Sequence, residues 1–490
     1  MTLQELMSAI SIKDLKPPQK GVIKFVSHEF DEDLCDEIGF SLTNLFKDRT
    51  LGLVNDTGLR VQLTYSERIA KYYPSTTRTL TLALQILALR GVIPVESIGK
   101  VMVGCEIDCY LPKVLPISAI YSLVRTAVDF KCEKVLVHDE NYGTAVFAAK
   151  NEVEVVAVEN FEEVISHYAD PLATLPLLRT QRYTPIKDHK PAVSLDEITH
   201  MGFAKKACVL AALTRYPIMF ERDIESAGET MLARRIVSIL PPMEPHEMHE
   251  TTENYSLMGM LTQDRPYIHT RPFRAPHYTV SSAGMFGLES KIKNRPVCLG
   301  EVGLAHNGVL FLDELPEFHQ DIIRDLKTQM KRTTVSIRSR KGSLDYPAKV
   351  LYAASALSSG AYPENFTTTE SYKRRLDALR PLFPIWVKLP SKGVDKTPII
   401  SAEEAKRLVG KVFWTTPASG FEINPGEVSF PIKVILSVAA ALSYMRNGES
   451  IEKRDIEEAF LFCPMYKKEW VENTPIPAVE KILGGKIETT

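Results

Sequence analysis

Between Gly308 and Phe318 the chain reads GVLFLDELPEF. The run Val309 to Leu312 is continuously apolar, as a buried strand is, and it ends abruptly in two acids. A buried strand of that kind belongs in an α/β sheet, and its terminal carboxylates emerge together at the sheet's C-terminal edge. In that position Asp313 can hold Mg²⁺, directly or through water, and Glu314 can polarise an attacking water. A strand followed by a charged turn gives the same pattern without any chemistry, so the neighbourhood has to decide.

The neighbourhood is α/β as well. Phe203 to Leu213 reads as a helix and YPIMF, Tyr216 to Phe220, as a strand. Leu232, Ile236, Ile239 and Leu240 then fall at helical spacing until Pro241 and Pro242 stop the helix. Lys349 to Ala354 reads as a further strand. After about residue 392 the pattern is helical: Ile432, Ile435, Leu436, Ala439 and Leu442 share one face, and Ile456 to Phe462 form another helix. Upstream, Leu80, Leu84, Ile86 and Leu87 load a helix that ends before Gly91. Lys134 to His138 and Val153 to Val158 read as short buried strands, with a helix over Tyr121 to Phe130 before them. Residues 171–194 are proline-rich with no clean period and read as a linker. No internal repeat or low-complexity tract is present.

With 490 residues the chain is too long for one compact domain, and two or three are expected. The formal net charge of −2 means that any nucleic-acid contact comes from local basic patches. The seven cysteines are scattered and odd in number, which fits a reducing compartment rather than a disulfide framework. Cys105 and Cys109 lack a matching His or Cys pair and read as two buried thiols, not a metal site. The N-terminus shows no signal-peptide pattern, and the most apolar segment, Leu80 to Leu89, is too short to span a bilayer. A cytoplasmic protein with no membrane partner is expected.

Two blocks decide the neighbourhood: RPFRAPHYTVSSAGMFG (Arg271–Gly287) and GEVGLAHNGVLFLDELPEF (Gly300–Phe318). They closely resemble the signature of the ComM/YifB branch of magnesium-chelatase-like AAA+ proteins, and the similarity runs from about residue 50 to 465. The resemblance implies an α/β fold in three parts. Residues 1–170 would be an N-terminal Lon-protease-like (S5-type), ChlI-type α/β domain. Residues 195–392 would be an AAA+ P-loop-NTPase-like core with a parallel sheet, and residues 393–490 a C-terminal helical lid. No lysine stands between Lys113 and Lys131, so the Ser/Lys dyad of a protease is not expected. The family's role, as the resemblance implies it, is ATP-dependent DNA branch migration in competence and recombination, carried out by a ring.

The phosphate loop departs from the family pattern. A GxxxxGK[ST] loop uses glycines to let backbone N–H groups close on phosphates and a lysine to reach the β and γ oxygens. The aligned stretch here is DIESAGET, Asp223 to Thr230, between the strand YPIMF and the helix MLARRIVSIL. Asp223 and Ser226 stand at glycine positions and Glu229 at the lysine position; Gly228 and Thr230, the Mg²⁺-side hydroxyl, remain. Two unit charges about 4 Å apart interact by roughly 4 kcal/mol at an effective dielectric near 20. Reversing the charge removes that attraction and adds a comparable repulsion. Even half the swing amounts to about three orders of magnitude in affinity.

Other family positions are also changed. Ala354, Ser355 and Ala356 stand where the sensor asparagine should end its strand. ALSSGAY replaces a cysteine-rich stretch, so no zinc site carries over. Arg380 is slightly out of place as a substitute for the family's Asp-Arg, and the lid arginine maps near Phe430. Lys327, Lys331, Arg332, Arg338, Arg340 and Lys341 form a basic stretch without an acid, and the alternation around Thr334 to Ile337 suggests a hairpin strand. In the family this segment resembles a hairpin facing the pore, where such charges would grip a DNA backbone without reading sequence; a solvated charged face is the plainer reading. His277 and His306 read as hydrogen-bonding turn histidines, and Arg271 and Arg274 as inter-subunit contacts by analogy. Two readings follow. In one, ATP binding and hydrolysis are impaired, Asp313 and Glu314 are vestigial, and the protein has a structural or regulatory role around DNA, as a homo-oligomer or beside an intact paralogue. In the other, an active motor binds ATP and Mg²⁺, with Thr230 and Asp313 at the metal, through a divergent loop.

Overall fold

A computed structural model describes residues 10–14, 23–27, 36, 39, 40, 42, 43, 59–63, 75–89, 91–94, 100–107, 113–169, 193–198, 200–223, 228–289, 297–339, 342–358, 369–389, 397–410, 429–448, 450–468 and 470. The chain divides into two compact units. One comprises residues 1–186, 252–268 and 289–298; the other comprises residues 187–251, 269–288 and 299–490.

The first unit opens with β1 (Ile10–Asp14), β2 (Ile23–Ser27) and β3 (Leu59–Leu63), a three-stranded sheet with β3 in the middle, antiparallel to β1 and parallel to β2. Helix α1 (Ser75–Leu89) buries Leu80, Leu84, Ile86 and Leu87, the residues its periodicity singled out. Then come β4 (Val101–Gly104), the short antiparallel pair β5 (Glu106–Ile107) and β6 (Val114–Leu115), α2 (Ile120–Asp129), β7 (Lys134–Val137), α3 (Asp139–Ala149), β8 (Glu154–Ala157) and α4 (Phe161–Ala169). Strands β4, β7 and β8 form a parallel sheet in that order. His138 ends the apolar run of β7 because its ring caps α3, accepting the Glu140 N–H at 3.2 Å. Cys105 is buried, and burial pushes its thiol well above the ordinary cysteine value; Cys109 lies outside the described residues.

Further along are α5 (Gly202–Thr214), β9 (Ile218–Arg222), α6 (Glu229–Ile239), α7 (Pro245–Leu257), β10 (Phe273–Arg274), α8 (Ser282–Phe286), β11 (Leu288–Glu289), β12 (Val297–Cys298), α9 (Glu301–Leu304), β13 (Gly308–Leu312) and α10 (Gln320–Gln329). The hairpin β14 (Thr334–Ser339) and β15 (Gly342–Pro347) follows, then β16 (Val350–Leu357), α11 (Thr369–Leu379) and β17 (Ile385–Lys388). The last elements are the helices α12 (Ala402–Gly410), α13 (Phe430–Met445) and α14 (Lys453–Phe462). The core of the second unit is a five-stranded, all-parallel sheet in the order β10-β13-β16-β9-β17. Every residue of β13 is buried, as a strand covered by helices on both faces requires. Gly308 starts that strand because a Cβ there would fall 2.1 Å from the carbonyl oxygen of Pro272.

This strand order fixes where chemistry can occur. The chain leaves β9 for the far edge at β10, works back through β13 and β16, then passes over β9 to β17. The winding therefore reverses beside β9, and ligands of open α/β sheets bind outside the carboxyl ends of strands at such a reversal. YPIMF is displaced from the observed strand by two residues. The ladder continues past Phe220 through Glu221 and Arg222, paired with Ala356 and Leu357 of β16. Among the described residues, no helix is long and apolar enough to cross a membrane.

Candidate functional site

At the carboxyl ends of β9, β13, β16 and β17 the polar side chains are tied to one another. Strand β9 delivers Arg222 and Asp223. The turn that follows resumes at Gly228, whose φ of +95° suits a glycine, and Glu229 is the first residue of α6. That helix buries Leu232, Ala233, Ile236 and Ile239 along one face, which fixes Glu229 at the end of the strands. Both Arg222 and Glu229 are only 4% exposed. The Arg222 guanidinium donates through Nε to Glu229 Oε1 at 2.8 Å and through Nη2 to Glu314 Oε1, also at 2.8 Å. A carboxylate in the first turn is favourable for the helix dipole, the position a phosphate takes in a phosphate loop.

Asp313 and Glu314 leave β13 as a pair, but each is already engaged. The Ser355 hydroxyl on β16 donates to Asp313 Oδ1 and accepts the Glu314 backbone N–H at 2.9 Å. Glu314 is held at φ 53°, a left-handed conformation uncommon for its residue type, and in it the carboxylate meets Arg222. Asp223 accepts a 2.5 Å hydrogen bond from Ser358 and pairs with Lys388 Nζ on β17 at 3.0 Å. The Ser358 hydrogen bond, and then Lys388, hold the Asp223 carboxyl below the ordinary aspartate range. Thr230 is exposed. Glu225 and Ser226 lie outside the described residues, as does the rest of the turn from Ile224 to Ala227. Among the described residues no group of three or more His, Cys, Asp or Glu side chains is placed to hold a metal ion.

The sequence singled out Glu229, Asp313 and Glu314, and the fold brings them to one sheet edge. Arg222, Ser358 and Lys388 were missed, and Ser355 was noticed only as a missing asparagine. One signal could have found Arg222: a buried acid at the lysine position requires a cation, and the nearest in sequence is the arginine that closes the preceding strand.

Arg271 and His306, from the two signature blocks, serve the opposite end of the sheet. Arg271 is buried and donates to the Glu247 carboxylate at 2.8 and 3.1 Å, and to the carbonyls of Pro241, Pro242 and Asn307. It is therefore an internal tie and not the subunit contact that analogy suggested. Arg274 makes a two-pronged pair with Glu301 at 2.5 and 2.6 Å. His306 is fully buried, accepts the Lys349 N–H on Nδ1 at 3.0 Å and meets Glu250 through Nε2 at 3.1 Å. Burial holds its pKa below the ordinary histidine value, against the upward pull of Glu250. His277 is exposed and bonds Thr279 at 2.9 Å. Arg380 stacks on Trp386 at 4.6 Å and pairs with Asp377 at 3.1 Å, so it is engaged away from the strand ends. Phe430 is an exposed ring packed edge-on against Tyr216 and Tyr466.

The basic segment is a two-stranded antiparallel hairpin. Val335 and Ile337 point inward, while Thr334, Ser336 and Arg338 are exposed, as are Lys331 and Arg332 just before it. Arg340 and Lys341 lie outside the described residues.

Residues 194–377, which include β9, the turn, β13, β16 and the hairpin, match the family model described as magnesium chelatase, subunit ChlI. The competence protein ComM of Haemophilus influenzae is 32% identical over 197 residues, 39% of this chain and 37% of its own. An uncharacterized protein YifB of Escherichia coli is 28% identical over 261 residues, 51% of this chain and 46% of its own. Over residues 194–377 the chain carries a magnesium-chelatase ChlI-type domain, and it is similar to ComM and YifB proteins. An uncharacterized protein of Mycobacterium tuberculosis is 33% identical over 187 residues, 38% of this chain and 36% of its own. The chain thus spans less than half the length of these relatives in the aligned stretch. Domains of the magnesium-chelatase ChlI type are associated in general with nucleotide and Mg²⁺.

Proposed function

We propose that this ComM/YifB-type protein keeps the AAA+ fold without working ATP chemistry and acts as a structural or regulatory factor around DNA, as a ring of its own or beside an intact paralogue. One observation carries the reading: the lysine position is a buried glutamate, Glu229, in a 2.8 Å ion pair with Arg222, which also holds Glu314. The residues present do not fit a triphosphate with Mg²⁺. Its γ-phosphate would meet Glu229 instead of a lysine, and the Asp313 oxygen that bonds Ser355 is already taken. Thr230 stays open, and on that residue rests the competing reading of a motor with a divergent loop. Titration of labelled ATP with Mg²⁺, beside turnover of wild type and Glu314→Gln, separates the two. No saturation up to millimolar ATP and no change on substitution are expected; micromolar saturation, or a rate that drops with Glu314→Gln, favours the motor.

The exposed cations Lys331, Arg332 and Arg338 on and beside the hairpin support the DNA part, with Arg340 and Lys341 completing the stretch in sequence. Contacts to backbone phosphates give an affinity that falls with salt by a slope of roughly 0.9 per phosphate on duplex DNA. Lys331, Arg332 and Arg338 changed together to alanine are expected to reduce that slope by about 2 to 3. An unchanged slope in a filter-binding or anisotropy series removes the hairpin from the proposal.

A further inference from the structure

Resting on that reading, we propose that Arg222 is a built-in substitute for the bound ligand: a protein cross-link that joins the elements a nucleotide would join and closes the site to anions. In a phosphate loop, the phosphates and their Mg²⁺ contact the first turn of the helix, the end of the strand before it and the acids of the neighbouring strand. Here one guanidinium spans the same three elements. It extends from the end of β9 to Glu229 in the first turn of α6 and to Glu314 beyond β13. Two further ties complete the edge without any ligand. Ser355 of β16 bonds both Asp313 and the Glu314 backbone, and Asp223 joins Ser358, next to β16, to Lys388 of β17. The carboxyl ends of four adjacent strands and the first turn of α6 are thus linked by side chains alone.

The charges point the same way. Among the described residues, Asp223 is matched by Lys388, which leaves Arg222 against Glu229, Glu314 and Asp313, an excess of acid where a triphosphate needs cations. The single arginine is not free to bind an incoming anion, because two carboxylates already hold it in a nearly dry position. Glu229 and Arg222 are therefore a matched pair. The acid excludes phosphate, the arginine makes the buried acid tolerable, and neither is stable without the other.

The test uses the full-length chain and two measurements. In a thermal-unfolding cycle, Arg222→Met and Glu229→Met each lower the midpoint, and the double variant recovers a large part of the loss, because no buried charge is then orphaned. Losses that simply add would overturn the cross-link. In the second measurement, fluorescent ATP with Mg²⁺ is titrated into the exchange variant Arg222→Ser with Glu229→Lys, which returns a cation to the helix and clears the strand end. Affinity roughly tenfold or more above wild type is expected. A folded exchange variant that binds no better than wild type would also overturn the proposal; if it does not fold, the unfolding cycle decides. Tight ATP binding by the wild type would sink the pseudo-ATPase reading itself, whereas additive losses without ATP binding leave that reading intact and remove only the cross-link.

Discussion

Two buried arginines sit at opposite ends of one parallel sheet, and they are held differently. Arg271, near the start of β13, uses Nε and both Nη atoms: Glu247 takes two bonds and three carbonyls take the rest. Arg222, at the carboxyl ends, uses Nε and Nη2, while its Nη1 and Glu229 Oε2 are buried and have no hydrogen-bond partner among the described residues. The first pattern is that of a group whose whole purpose is structure, since buried polar groups are normally satisfied. The second is less complete and stands at the edge where α/β sheets place ligands. Incomplete satisfaction at this edge is what the proposed closure by side chains would leave behind.

Substitution tests that contrast directly. Arg271→Ala strands the buried Glu247 carboxylate and three carbonyls, and a loss of about 3–5 kcal/mol in urea unfolding is expected. Arg222→Met strands one buried carboxylate, Glu229, and no carbonyl, and Glu314 can turn to solvent. Its loss is therefore smaller by about 1–2 kcal/mol. Equal losses in the two variants would erase the distinction between the ends of the sheet.

The same end of the sheet carries a pH signature. Burial lowers the folded-state pKa of His306 below its ordinary value of 6.5, so the neutral ring is the one that fits the fold. The unfolded chain binds a proton that the folded one refuses. Stability from this group is thus complete above the ordinary histidine value and is lost as pH falls below it, with a slope of up to about 1.4 kcal/mol per pH unit. Glu250, hydrogen-bonded to His306, is also lowered from its ordinary 4.5, so its own contribution is lost at more acid pH. His167 is also buried and lowered from 6.5, so urea midpoints measured against pH should show an upper step that is weaker in His306→Gln than in the wild type. An undiminished step in the variant would assign it elsewhere.

Much of this fold is legible in the sequence because the pattern of burial is simple there. The apolar run of β13, the spacing of Leu232, Ile236 and Ile239 in α6, and the alternation of Val335 and Ile337 in the hairpin each repeat with the period of one element. Glu229 and Glu314 are legible as positions, since a motif fixes their spacing. Their engagement is not. The apolar run YPIMF stops at Phe220, yet backbone pairing carries β9 on to Arg222, because strand ends become polar where a site begins. Arg222 and Glu314 are far apart in sequence, and only the sheet order brings them together. Arg271 was misassigned for a related reason: a conspicuous cation in a signature block reads as a surface contact until the fold reveals Glu247 beneath it.

The smallest effect belongs to Lys388. Its ion pair with Asp223 lies at the same edge as Arg222, but Lys388 is 59% exposed, whereas Arg222 is 5% exposed in its side chain. An exposed pair is screened by solvent and salt, and Ser358 still holds Asp223 when the lysine is gone. Lys388→Ala is therefore expected to cost no more than about 1 kcal/mol at low ionic strength, and less as salt is raised beyond physiological levels. The cost of Arg222→Met should hardly change over the same salt range, because its charges are buried. If Lys388→Ala matched Arg222→Met in size, the edge would be held by a distributed set of surface charges, and the buried guanidinium would lose its central place.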